Sequence, residues 1–232
     1  MKKTKVITLT VLAAILIGGG YFGYTFWVDV SDYFTTNNAS VTANMISITP
    51  MVSGSVAAWD VKEGDRVTAG QILGRQDLGD LVQSTSINTQ TLETSAGANI
   101  SKADIKTPIN GKVVQSNVVV GETVAPGMQV AMVADTNNMY VKANVEETDI
   151  NRIQMGQKAT VTIDAYPGIV FTGHVESIGE ATQDAFSTTA SINTSGTYTK
   201  VTQLIPVKIN VAGIDGYNLR LGYNATVKIK TK

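Results

Sequence analysis

The 232-residue sequence contains no cysteine, which excludes disulfides, thiolate metal sites and thiol nucleophiles. It has a single histidine, His174, so a multi-histidine metal site is excluded and a serine–histidine triad is disfavoured. There is no basic surplus: 18 Lys and Arg stand against 19 Asp and Glu. A protein that neutralises phosphates needs such a surplus, so nucleic-acid binding is not expected. Charged residues make up only 16%, which excludes an acidic disordered chain, and proline is scarce at 5. Walker A, nucleophile-elbow and metal-ligand spacings are missing. What is abundant is apolar residues (43%), glycine (21), threonine, serine, valine and asparagine. That mixture favours β structure and a binding or structural role over an enzyme.

One stretch departs from it. Residues 6–28, VITLTVLAAILIGGGYFGYTFWV, carry no charge. A membrane-spanning helix needs roughly 20 such residues. Lys2, Lys3 and Lys5 precede the stretch and Asp29 and Asp32 follow it, which places residues 1–5 in the cytoplasm and the bulk of the chain outside. Tyr21, Tyr24, Phe26 and Trp27 gather at its outer end, as interfacial aromatics do. The apolar run exceeds the ~7–15 residues of a signal-peptide core, and no clear A-x-A site follows it; Ala39 is the one weak cleavage position. The expectation is an uncleaved single-pass anchor in the cytoplasmic membrane, followed by a linker over residues 29–40.

Residues 52–73 and 109–130 repeat one another at a constant offset of 57. Six positions are identical: Gly54/Gly111, Val56/Val113, Val61/Val118, Gly64/Gly121, Val67/Val124 and Gly70/Gly127. Each copy has short alternating apolar runs broken by turns, K-E-G-D in one and V-G-E in the other, which is the pattern of strands and hairpins. Glycine permits the positive φ that such turns require. One hairpin with one apolar face is marginal alone. Two facing copies can bury Val56, Val61, Val67 and Leu73 against Val113, Val118, Val124 and Val130, giving a small pseudo-twofold β-sandwich.

These two copies resemble the split lipoyl, or biotinyl-like, motif of HlyD-type membrane fusion proteins, the periplasmic adaptors. The modified lysine of true lipoyl and biotinyl domains sits in D-K-A or M-K-M, and neither occurs here, so no cofactor is expected. Lys106 instead sits in A-D-I-K-T-P-I-N-G-K-V, similar to the lead-in x-I-x-A-P-x-x-G-x-V of the family's second half. The resemblance continues on both sides. Val41–Met45 with Ile48-Thr49-Pro50 is similar to the lead-in strand of the EmrA-like branch. Residues 139–147 with Gly156-Gln157, 171–179 and 219–227 resemble the adaptor β-barrel. Residues 196–209, GTYTKVTQLIPVKI, resemble the branch's G-x-(F/W)-x-K-V-x-Q-x-x-P-V-x-I segment.

In that family a long α-helical hairpin is inserted between the lipoyl halves. Here residues 78–104 offer only 27 positions, without heptads and rich in Ser, Thr and Asn. Two helices of about ten residues would reach only ~15 Å. The hairpin is therefore expected to be much reduced or missing, which puts docking onto a TolC-like outer-membrane channel in question.

The expected fold class is mostly β: a transmembrane helix at 6–28, a first half at 41–77, a short insert at 78–104, a second half at 105–135, and an antiparallel β-barrel of five or six strands at 136–231. Within the barrel, EETDINRIQMGQ predicts a helical turn or two, capped by Thr148 or Asp149 and closed by Gly156. Residues 182–202 carry Ser or Thr at ten of 21 positions and read as a surface loop, with Phe186 and Tyr198 as candidate partner contacts. Glu146, Glu147 and Asp149 read as helix-start or solvated acids rather than acid–base groups. His174 reads as a barrel-surface or partly packed residue. No catalytic or metal residues are assigned.

The resemblance implies a homo-oligomeric adaptor of a multidrug or small-molecule export system. Its partner would be an inner-membrane transporter, of the major facilitator type, with an ABC transporter as the other option. The competing reading is a stand-alone envelope protein that scaffolds others or binds a small ligand.

Overall fold

A computed structural model describes residues 16–21, 32–77, 102–186 and 202–231. They form two compact units, one from residues up to Thr42 together with Tyr140 onward, the other Ala43–Met139.

The first unit is a closed six-stranded barrel. Its strands are β1 (Tyr33–Thr42), β10 (Tyr140–Glu146), β11 (Lys158–Ile163), β12 (Val170–Ile178), β13 (Leu204–Val211) and β14 (Asn224–Lys230), in the order β1-β10-β13-β12-β11-β14. Closure leaves no free edge in the ring. The alternation of KATVTI, YVKANVE and NATVKIK sends every second residue inward. Val141, Ala143, Val145, Val161, Ile163, Val207, Ile209, Val227 and Ile229 fill the interior and are inaccessible to solvent.

The sixth strand is the correction. Residues 33–40, read as part of a linker, belong to β1, which lies between β10 and β14 and closes the ring. The register shifts between Thr36 and Ala39, so a bulge at Asn37 and Asn38 interrupts the alternation. Only Ala39 and Val41 of this strand are buried; residues 33–36 are held by pairing with β14, and β10 pairs with residues 39–42. Val41 therefore belongs to the barrel and not to the first lipoyl-like half. Thr42 and Tyr140 are paired side by side, so the chain leaves the barrel and rejoins it at adjacent points.

The second unit is a sandwich of two four-stranded sheets, β2-β9-β7-β4 and β6-β5-β3-β8. The strands are β2 (Met45–Ile48), β3 (Gly54–Trp59), β4 (Arg66–Val67), β5 (Ile72–Asp77), β6 (Asp104–Lys106), β7 (Gly111–Ser116), β8 (Thr123–Val124) and β9 (Ala131–Ala134). Each sheet mixes the two halves, because β4 of the first pairs with β7 of the second and β8 pairs with β3. β2 pairs with β9, so the lead-in strand belongs to the second half's sheet. Asp104, read as the last residue of the insert, opens β6.

The helical turn expected after β10 is a 3-10 turn over Ile150–Arg152. Asp149 stands at its N-cap without a side-chain capping bond and instead lies 3.6 Å from Arg152. Gly156, at φ +83°, follows in the turn before β11. In the 6–28 stretch, residues 16–21 are helical and the others lie outside the described residues. Among the described residues no helix is long and apolar enough to cross a membrane.

Candidate functional site

Val56, Val61, Val67, Val113, Val118 and Val124 lie in one core cluster, with Leu73 and Val130. Ile48 and Ile105 join it, also 57 positions apart. The sequence reading missed that pair because it compared only 52–73 with 109–130; S-I-T-P and D-I-K-T-P carried the signal.

The pseudo-twofold is written in the hydrogen bonds. Gly64 N–H donates to Val113 O at 2.8 Å, and Gly121 N–H donates to Val56 O at 2.8 Å. Val56 N–H donates to Glu122 O, and Val113 N–H to Asp65 O. Both β3 and β7 bulge at equivalent places, Val56/Ala58 and Val113/Gln115. Trp59 Nε1–H donates to Ser116 Oγ at 2.9 Å, and these two are themselves repeat equivalents. Equivalent residues in contact mark where the pseudo-axis passes.

The glycines divide into two kinds. Gly64, Gly70, Gly121 and Gly127 have positive φ, between +82° and +97°, and form the turns. Gly54 and Gly111 open strands instead. At Gly111 a Cβ would run into the Ala134 carbonyl, so close backbone approach selects glycine there.

Each half presents a hairpin tip of the same build. Lys62 N–H donates to Asp65 Oδ2 at 2.8 Å in the first, and Val119 N–H donates to Glu122 Oε2 at 3.1 Å in the second. The carboxylates of Asp65 and Glu122, read as solvated turn residues, thus close the tips. Their outward chemistry differs: the first shows Lys62 and Glu63, the second Val119 (71% exposed) and Val120 (58%).

Two further places organise the surface. Arg75 pairs in register with Asp104, so the ends of residues 78–103 are adjacent. Asp104 binds Arg75 across these stems at 3.3 Å and Lys106 of its own strand at 3.2 Å. On the barrel, Gln183 Nε2–H donates to Asn144 Oδ1 at 2.6 Å, and Asn144 Nδ2–H donates to Asn38 Oδ1 at 2.9 Å. Glu147 N–H donates to Gln203 O. The two stems of the Ser/Thr-rich segment, at Gln183 and Gln203, are thereby fixed to β10 and the residue following it. The conformation of residues 78–101, Tyr198 and the Phe186 side chain lie outside the described residues. His174 is exposed on β12 opposite Lys158. Among the described residues no group of three or more His, Cys, Asp or Glu could hold a metal ion.

Residues 44–136 match the model of the barrel-sandwich hybrid domain of RND membrane fusion proteins, and residues 139–229 match the YknX-like β-barrel domain. The chain is 36% identical over 199 residues to YhbJ of Bacillus subtilis (strain 168), provisionally named an efflux system component. That match covers 86% of this chain and 80% of YhbJ. The chain belongs to the membrane fusion protein, or periplasmic adaptor, family. The resemblance read from the sequence named the same family. The adaptor is also 35% identical over 136 residues to EmrK of Escherichia coli (strain K12), a probable multidrug resistance protein by name, covering 57% of the adaptor and 35% of EmrK. It thus spans about a third of that relative. Among solved structures, MacA from Actinobacillus actinomycetemcomitans shares the fold with a TM-score of 0.65 at 19% identity, over 86% of the adaptor and 79% of MacA.

Proposed function

We propose that this adaptor is the membrane-anchored subunit of an export system for drugs or other small molecules. The observation that carries the reading is the nesting of the sandwich between β1 and β10 of the barrel, in a chain that matches YhbJ over four fifths of that protein's length. The uncharged stretch 6–28 ends five residues before Tyr33 opens β1, so the barrel follows directly on the proposed anchor. The work is mechanical: no bond is made or broken. The anchor holds the barrel beside an inner-membrane transporter, and copies of the adaptor line a path outward. A major facilitator transporter is the proposed partner, in keeping with the EmrA and EmrK names among the relatives.

With only 26 residues joining β5 to β6, no channel-reaching hairpin of the usual length can be built, and the reading does not require an outer-membrane channel. Affinity purification of the full chain from detergent-solubilised membranes of its host should recover an integral-membrane transporter. Recovery of soluble envelope proteins alone would favour a stand-alone scaffold and overturn the reading.

A further inference from the structure

Among the described residues only two polar side chains are buried, Gln76 at 6% exposed and Thr107 at 1%. Both serve the same atom of the repeat. Gln76 Nε2–H donates to Val52 O at 2.9 Å, and Thr107 Oγ1–H donates to Ile109 O at 2.9 Å. Val52 and Ile109 are 57 positions apart, so one turn carbonyl takes a buried side-chain donor in each half. The donors come from different places. Thr107 lies in the turn itself, and its equivalent in the first half is Pro50, which has no hydroxyl. Gln76 supplies the bond from β5 instead, where the equivalent residue of β9 is Val133, inaccessible to solvent.

The two halves are not equally well satisfied. The Thr107 hydroxyl also accepts from Ile109 N–H at 3.3 Å. Gln76 Oε1 is buried without a partner. Turning the amide over would set that oxygen against the Val52 carbonyl, so a flip brings no relief. Val133 is paired on both sides, with Val113 and with Ile46. Gln76 is paired on one, with Val56, because the pairing of β5 with β6 ends at Arg75 and Asp104.

We infer that Gln76 is a latch between the turn at 49–53 and the end of β5, and that its unmet oxygen makes this end of β5 the part of the sandwich that opens first. A buried acceptor without a donor has lost its water and gained nothing. Local opening gives the water back, so β5 opens at lower cost than β9, which carries a valine there. In the first half the turn is tied to that strand, so opening also frees the Val52 carbonyl. In the second half Thr107 holds Ile109 from within the turn, independently of β9. The place matters because β5 ends at Asp77 and β6 begins at Asp104, so this is the root of the insert. The Arg75–Asp104 pair beside it has its arginine 64% exposed, and water screens it. The latch belongs to the sandwich alone and does not depend on the export reading.

Hydrogen–deuterium exchange of the full chain in detergent tests this, with β9 as the control inside the same molecule. β5 should exchange about tenfold faster than β9, the size expected of one unmet buried acceptor. The double variant P50T/Q76V gives the first half the donor and the core residue that the second half already uses. Its β5 should exchange about tenfold more slowly than in the parent, with β9 unchanged. P50T alone should leave β5 at the parental rate, because Gln76 still carries its orphan. Q76V alone removes both the orphan and the bond to Val52, so its β5 should fall between the parent and the double variant. Equal protection of β5 and β9 in the parent, or β5 exchange in P50T/Q76V no slower than in the parent, would overturn the inference. Loss of protection in both strands of P50T/Q76V would overturn it as well, since Pro50 and Gln76 would then not be a replaceable pair.

Discussion

At the scale of single residues, paired substitutions read the pseudo-twofold directly. Ile48 and Ile105 are 3% and 2% exposed in the same core cluster. Ile→Val at either should lower stability by about 0.5–1.5 kcal/mol, because one buried methylene group is lost. Equivalent surroundings make the two losses alike, and denaturant midpoints of the single variants would show it. An aspartate at Val56 or Val113, 1% exposed each, leaves an unpaired carboxylate in the core at a cost of several kcal/mol. The expected result is an unfolded sandwich by circular dichroism, and a native melting curve for Val56→Asp would contradict the placement. Gly111→Ala should be more damaging than Gly121→Ala. At Gly121 the cost is a residue at positive φ, about 1–2 kcal/mol, with open space around it. At Gly111 the added carbon meets main chain that belongs to another strand. The six identical pairs were legible because alternation and turn glycines leave marks in a sequence. The reason for glycine at Gly111 was not, since close approach depends on Ala134 of β9, a strand remote in sequence.

At the scale of elements, legibility follows how much apolar alternation a strand carries. β10, β11 and β14 alternate cleanly, inside the stretch 136–231 whose pattern predicts a barrel of five or six strands. β1 does not, because its outward positions are Thr and Asn, its bulge falls at Asn37 and Asn38, and only its C-terminal end reaches the core. Pairing with β14 over its N-terminal part and with β10 at its C-terminal end makes it a strand, and long-range pairing has no local signature. The exchange of β4 and β8 between sheets was likewise hidden, each being two residues long. The insert gives a test at this scale. Its stems are already adjacent at Arg75 and Asp104, so shortening it removes little closure entropy. Replacing residues 84–100 with a short Gly/Ser linker should leave the melting temperature within a few degrees of the parent. A collapse of the sandwich on deletion would show that the insert is part of the core.

At the scale of the molecule, the barrel begins before the sandwich and finishes after it, and the proposed function depends on the proposed anchor at residues 6–28. Alkaline phosphatase fused after Lys232 should be active, because residues 29–232 are expected beyond the cytoplasmic membrane. The membrane fraction should keep the chain through carbonate washing. The measurement that tests the central claim most directly is dye accumulation in the host lacking this gene but retaining the transporter. Loss of the gene should raise accumulation. The full chain should bring it back to the parental level, and a chain in which residues 6–28 are replaced by a cleaved signal peptide should not. Accumulation unchanged by the deletion, for every dye that the transporter exports, would contradict the account.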